Sequence, residues 1–450
     1  MAYLYNLFGI NRAILYVILG RGGAVASGAI TLFLISQYLT PQEQGYYFSF
    51  LSVIAFQVVL ELGLGAILTQ FVSHEMSKLE IINGNIYGEY RAKHRLFSII
   101  RLALKWYSIV GFIVLLILIP VGITFFKESS SAGDNTTYIF IPWCLLVLSS
   151  IMSLIVNALL SIGDGLGYVE KIAKMRVYQS VAAGIISAIV LIGGFGLYAV
   201  LSTSISIVLI GGLWVIKNIF SVIHNAFKDI DLNEKVSWIN EIFPMQWRIA
   251  LSWFSGYFIF QIMNPISFKY YGAIFSGKFG MAMAILNLMV ALSLAWITTK
   301  VPDFGRKIAS NDKTVYHDYS KTFLQSLGFF ILFSLLATFF IWLISYFELE
   351  LANRVLSADL FAVLSLAMLA NHIVACQATF VRSHKVERYT LLSLITALMI
   401  SLGMYLTCNY LPSNYIIYSY ALISWVVYVP GSYIIFRRFI KNNKYMDYEK

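Results

Sequence analysis

Polar residues are scarce along this chain, and the apolar runs between them have a recurring length. Stretches of about 20 apolar residues, enough for a helix to cross the ~30 Å hydrocarbon core of a bilayer, lie near 14–39, 46–72, 106–126, 138–162, 178–195, 197–216, 248–271, 280–299, 323–346, 360–380, 390–408 and 416–436. The pattern predicts about twelve transmembrane helices, with spans five and six meeting at the sequence GGFGLY (193–198). Period-2 alternation is missing from these runs, so they read as helices and not as barrel strands.

The charged residues gather between the spans. With the N-terminus placed inside, the inner segments hold 27 of the 32 Lys and Arg, the outer loops hold Lys127, Lys269, Lys278 and Arg354, and Arg21 lies within the first span. This bias predicts cytoplasmic termini at both ends. It also accounts for the net charge of +10 without a polyanionic partner, so no nucleic-acid binding is expected. The overall composition, 59% hydrophobic and 12% charged, departs from soluble domains in the same direction. The first apolar run is too long for a cleavable signal peptide and lacks a small-residue cleavage site, so it is expected to remain as the first span. Cys144, Cys376 and Cys408 lie in or at the ends of spans with no paired spacing, which suits small core residues better than a redox or metal centre.

The inner loops are longest after spans two, six and eight. The one after span six splits the chain nearly in half, which predicts a six-helix bundle over 1–225, a cytoplasmic linker over 226–247 and a second six-helix bundle over 248–450. The halves share weak repeats. YLTPQEQGYYFSF (38–50) corresponds to YYGAIFSGKFGMAMAI (270–285) at an offset of about 232, and NALLSIGDGLGYVEKIAKMR (157–176) to QATFVRSHKVERYT (377–390) at about 220. Six spans per repeat imply parallel repeats, related by a pseudo-two-fold axis along the membrane normal, an arrangement found in transporters with a central cavity.

A few polar residues interrupt the spans. Glu61 sits near the middle of QVVLELGLGAILTQF (57–71), where a charge costs at least about 2.5 to 3.5 kcal/mol and must face protein or water. Gln57, Glu61 and Gly65 follow at i, i+4 and i+8, so one stripe carries an amide, an acid and bare backbone. This suits a proton or cation site, a contact for a polar substrate, or a buried carboxyl held by a neighbouring helix. Arg21, with Ala24, Gly28 and Thr31 on nearly the same face, lies about 10 Å inside the inner end of its span; it suits an anion site, a residue snorkelling to the headgroups, or a pair with Glu61. Asn264 precedes Pro265, whose ring kinks a helix and frees a carbonyl. Lys269 and Lys300 lie near the outer end of span seven and the inner end of span eight, as interface anchors or substrate contacts. His372, at mid-span ten beside Asn371, suits a proton relay or a hydrogen-bonded core residue. Asn157 reads as a packing amide, and Asp164 as a solvated loop residue. Phosphate loops, Cys/His metal spacings and nucleophile elbows are missing, so neither an enzyme nor a cofactor or metal is expected.

The stretch from Gly20 to Glu75 resembles the opening of the Wzx-type O-antigen and polysaccharide flippases of the multidrug/oligosaccharidyl-lipid/polysaccharide (MOP) exporter superfamily. The residues that carry the likeness are Leu39-Thr40-Pro41, Gln44-Gly45-Tyr46-Tyr47, Leu62-Gly63-Leu64-Gly65 and Gln70-Phe71, joined in the second half by PMQWRIALSWFSGYFIFQ (244–261) and the stretch from SGKFGMAMAI to KVPDFGRKIA (276–309). The resemblance implies a twelve-helix, all-α flippase in the bacterial inner membrane. Its substrate would be an undecaprenyl-pyrophosphate-linked oligosaccharide of lipopolysaccharide or polysaccharide biosynthesis, moved outward by alternating access. It gives Arg21 a role at the pyrophosphate, while the positions of the residues themselves make Gln57, Asn264, Lys269 and Lys300 further candidate substrate contacts and Glu61 and His372 candidates for H+ or Na+ coupling. Other polysaccharide-assembly membrane proteins would be its partners. A guanidinium at Arg21 suits a pyrophosphate, and an inside-negative potential favours outward movement of that anion by about 2.3 kcal/mol per charge per 100 mV. Two rivals stand beside it. A multidrug exporter of the same superfamily would favour acidic residues in its site; a membrane glycosyltransferase or polymerase would need larger, more functionalised outer loops than these.

Overall fold

The computed structural model describes residues 12–82, 84–128, 136–229, 235–310, 312–384 and 386–443, without the side chains of 12–19, 21, 136, 245 and 248. Among them, ten helices are long and apolar enough to cross a membrane, and a shorter apolar helix covers Gly22–Tyr38. One of the ten, Ile249–Ala309, holds two crossings. Its backbone breaks at Gly272 (φ 81°, ψ 174°), and Ser276 Oγ hydrogen-bonds Asn264 Oδ1 at 3.0 Å, which a straight helix would hold about 18 Å apart. The chain therefore reverses at Gly272. The protein is an all-α polytopic membrane protein of twelve spans.

The chain packs as two compact units, one formed by residues up to 39 with 53–253 and the other by 40–52 with residues from 254 onward. In the first, α1 (Arg12–Tyr38) lies along α7 (Val169–Ile192) through small residues: a Cβ on Gly23 would meet Ser180 Oγ at 3.3 Å, and one on Gly184 would run into Ser27. Lipid tails are as apolar as leucine, so close backbone approach of this kind, and not water exclusion, holds helices together in a bilayer. The second span is discontinuous and comprises α2 (Pro41–Ile54), α3 (Gln57–Glu61) and α4 (Leu64–Met76). After it come an antiparallel hairpin of β1 (Leu79–Ile82) and β2 (Asn85–Gly88), then α5 (Tyr90–Glu128), α6 (Thr136–Gly165), α8 (Gly196–Asn218) and the short α9 (Phe220–Lys228). Leu64, Leu68 and Val72 of α4, Leu96, Ile100 and Ala103 of α5, and Ala158 and Ile162 of α6 form one buried cluster.

The described parts of the stretch expected as a linker, 226–247, pack on this first unit. Val236 is buried and donates its N–H to Ser98 Oγ at 3.1 Å. Trp238 stacks on Trp106 with centroids 4.8 Å apart. Arg95 binds Glu75 at 3.0 Å and Glu241 at 2.6 Å, joining α4, α5 and this segment.

The second unit contains α10 from Phe254 onward (the helix is Phe243–Phe260), α11 (Met263–Thr298), α12 (Val301–Ala309), α13 (Thr314–Tyr346), α14 (Ala358–Ser383), α15 (Thr390–Tyr410) and α16 (Tyr415–Asn442). It also takes in most of α2. That helix starts with a reciprocal cap in which Glu43 accepts from Thr40 N–H at 2.7 Å and Thr40 Oγ1 from Glu43 N–H at 3.2 Å, with Pro41 at the first helical position. One turn on, the buried Gln44 amide donates to the carbonyls of Gly277 and Arg354, both at 2.8 Å.

Candidate functional site

The break in the second span places Glu61. Leu62 and Gly63 are both left-handed, with φ of 57° and 65°; for leucine this costs roughly 1–2 kcal/mol. The helix restarts at Leu64 with unpaired N–H groups in the middle of the membrane, a need that a carboxylate can meet. Glu61, just before the break, accepts from the Tyr107 hydroxyl of α5 at 2.5 Å, and its Oε1 lies 3.4 Å from where a Cβ on Gly65 would stand. The acid in the apolar run is thus held by Tyr107 beside the restart of a half-helix. Gln57, one turn earlier, is half-buried, and its Oε1 is buried without a partner among the described residues.

Gly65 opens a polar nook next to this carboxyl. The position its Cβ would take is 3.2 Å from Ser161 Oγ, 3.4 Å from Glu61 Oε1 and 3.8 Å from Tyr107 OH. Ser161 belongs to α6, whose surface has two characters. Ile141, Leu145, Leu148 and Met152 form an exposed apolar stripe. Asn157, Ser161 and Asp164, at i, i+4 and i+7, lie on roughly the opposite face. Asn157 is exposed there, contrary to its reading as a packing amide. Ser161 donates to Asn157 O at 3.0 Å, and its own carbonyl accepts from Thr69 Oγ1 at 2.9 Å. Asp164, expected to be a solvated loop residue, ends the helix in a 3.3 Å pair with Arg176 of α7. An exposed amide and a half-buried hydroxyl on the face turned from the apolar stripe call for water or a polar ligand.

The other expected site residues are placed differently. Arg21 lies on α1, and its side chain is outside the described ones. Asn264 is buried and closed into a network with Ser49 (3.5 Å) and Ser276 (3.0 Å), which themselves meet at 3.1 Å. Lys269 and Lys300 are exposed. His372 is fully buried, with Nε2 2.9 Å from Ser326 Oγ and its ring stacked on Phe330 at 5.3 Å. Because Ser326 gives its one proton to Ser293 O at 2.6 Å, His372 must be the donor of their bond, so it carries its proton on Nε2 and leaves Nδ1 a buried acceptor with no partner among the described residues. This ties α11, α13 and α14 together. Glu61 therefore meets Tyr107 beside Gly65 and Ser161, whereas Asn264 and His372 are engaged in packing. The structural signal missed in the sequence is the polar triplet on α6, which is legible only when its spacing is set against the apolar stripe. Among the described residues no three His, Cys, Asp or Glu side chains come together as a metal cage.

Comparison with known proteins places this architecture. No family model and no curated protein matches the chain. Solved structures do match over nearly its whole length. A structure described as the inward-facing conformation of a multidrug resistance MATE family transporter of the MOP superfamily aligns with a TM-score of 0.71 at 15% identity, covering 95% of this chain and 99% of its own. A MOP superfamily transporter from Pyrococcus furiosus, described as having a binding pocket of reverse polarity that suggests a different function, aligns at 0.60 and 16%, covering 96% and 95%. An outward-facing multidrug resistance MATE transporter gives 0.55 and 14%, covering 96% and 95%. The chain has the fold of the MOP superfamily transporters, two bundles making up twelve transmembrane helices.

Proposed function

We propose that this protein is a flippase that carries an undecaprenyl-pyrophosphate-linked oligosaccharide from the cytoplasmic to the periplasmic leaflet of a bacterial inner membrane, with both termini cytoplasmic. The observation that carries this reading is the polar face of α6. Asn157 offers an exposed neutral donor and acceptor and half-buried Ser161 an acceptor oxygen beside it, the chemistry that matches sugar hydroxyls. The nearby carboxyl of Glu61 already accepts from the Tyr107 hydroxyl and is poorly placed to act as a bare counter-charge for an organic cation. Outward movement of the pyrophosphate would run with the membrane potential. Arg21 is assigned to that anion, with Gln57, Lys269 and Lys300 as further contacts, and Glu61 to H+ or Na+ coupling. Asn264 and His372, closed into packing networks, take a supporting place. Other polysaccharide-assembly membrane proteins are its proposed partners.

The second reading, export of cationic drugs, is favoured by the description of the matching structures as multidrug resistance transporters. The deciding experiment uses proteoliposomes loaded with an undecaprenyl-pyrophosphate oligosaccharide and, separately, with a cationic dye. Lipid movement without dye efflux supports the flippase; dye efflux without lipid movement overturns it.

A further inference from the structure

The exposed apolar surface of the first unit does not stop where its sixth span ends. Leu209, Leu213 and Ile216 follow one another along α8 at helical spacing, each at least half exposed, and Phe220 and Phe227 of α9 are exposed to the same degree. The chain turns at Ile219 (φ −126°, ψ 2°) and begins α9 at once. Two turns separate Phe220 from Phe227, which puts both rings on one side of the helix, with His224 stacked on Phe220 at 6.3 Å between them. The other side is already occupied: Val222 and Ala226 are buried, and the helix is fixed by hydrogen bonds from Ser221 to Gly84 O at 2.9 Å and from Asn225 to Asn85 Oδ1 at 3.0 Å. α9 thus has two apolar sides, one packed and one open. Exposed lysines, Lys217 and Lys228, bracket the open side.

We infer that α9 is an interfacial helix whose Phe220–Phe227 side docks into the membrane leaflet at the basic ends of the spans, with anionic phospholipid headgroups held by Lys217 and Lys228. Three observations select lipid as the occupant. An exposed apolar stripe of a membrane span runs directly into it along the chain, the side begins within two residues of that span's end, and the exposed charges that flank it are both positive, the acid next to Lys228, Asp229, being paired with Lys93 at 3.0 Å. Aromatic rings at headgroup depth and lysines reaching the phosphates are the usual means by which a short amphipathic helix holds an interface. The inference does not depend on what the protein transports.

The test is made on the full chain with Cys144, Cys376 and Cys408 replaced by alanine and a fluorophore attached at Phe227→Cys. The protein is reconstituted in phosphatidylcholine vesicles with and without phosphatidylglycerol. Glu80→Cys, on an exposed position of β1, provides the aqueous reference, and Phe220→Cys repeats the measurement should the first variant fold poorly. Lipids brominated high in the acyl chain should quench the label at 227, while aqueous iodide should reach it several-fold less than the label at 80. Phosphatidylglycerol should strengthen both effects, and Lys217→Gln with Lys228→Gln should weaken that anionic preference by roughly tenfold. Equal access of iodide to both labels would overturn the inference. So would protection from iodide without quenching by brominated lipid, which would mean that protein, including a second copy, covers the side. Indifference to phosphatidylglycerol in the chain with both lysines would overturn the anionic headgroup as partner.

Discussion

Gly277 lies against the backbone of Gly45: a Cβ on Gly277 would come 2.9 Å from Gly45 N, and one on Gly45 would run into the Ala273 backbone. These glycines are 232 residues apart, the offset at which their surrounding stretches repeat in the sequence. The repeated glycine-aromatic steps thus pack on each other.

Replacing either glycine by alanine should destabilise the protein by about 1–3 kcal/mol through overpacking. Gly256→Ala, inside α10 with open space at its Cβ, should instead be neutral or stabilising by up to about 1 kcal/mol. Thermal unfolding in detergent compares the three variants, and equal melting temperatures would count against the close contact.

Tyr107→Phe removes the hydroxyl that Glu61 accepts from and should cost about 1.5–3 kcal/mol, as expected for a hydrogen bond to a charged acceptor. Glu61→Gln keeps an oxygen to accept from Tyr107 while removing the acid. It should stay folded and lose the dependence of transport on the ion gradient. Full-rate transport with unchanged ion dependence in this variant would remove Glu61 from coupling.

Asn157→Leu alters an exposed position and should leave stability within about 0.5 kcal/mol while lowering transport of the lipid-linked oligosaccharide at least tenfold. A variant that transports at the parent rate would show that the polar face of α6 does not meet the substrate.

The 235–242 segment should come loose in acid. Burial is the largest single influence and raises the Glu241 carboxyl, but the hydrogen bonds from Arg95 and the Ser237 N–H together with the charges of Arg95 and Arg91 outweigh it, and the net shift is downward from the ordinary 4.5. A carboxylate depressed on folding contributes stability that is fully present above its unfolded value and is lost as pH falls through the lower folded one. Fluorescence of the Trp106–Trp238 stack should therefore change at a midpoint below pH 4.5, and Glu241→Gln should remove that transition. A midpoint above 4.5 would contradict the pairing.

The twelve crossings were legible because bilayer thickness imposes one length on every span. The interruption of the second span was not, because hydropathy is blind to backbone torsion: Leu62 looks like any apolar residue and becomes left-handed only through its setting. Glu61 stood out by its expense in lipid, although its partner, Tyr107 of α5, and its place beside the helix break required the structure to be seen. Asn264 and His372 stood out for the same reason and turned out to be closed into hydrogen-bond networks, since a polar side chain in a span signals only that it needs a partner. The segment after span six read as a linker from its charge; what binds it, Trp238 on Trp106 and Glu241 on Arg95, joins residues more than 130 apart in the chain.

The placement of residues 40–52 with those from 254 onward bears on how the chain assembles. During synthesis, Gln44 emerges more than two hundred residues before Gly277 and Arg354, whose carbonyls it binds, so the amide must wait in the membrane until nearly four-fifths of the chain has been made. For the same reason the protein cannot be cut into self-sufficient halves at its midpoint. A fragment starting at 254 lacks an internal helix of its own unit, and should become whole only when the earlier fragment is supplied alongside it.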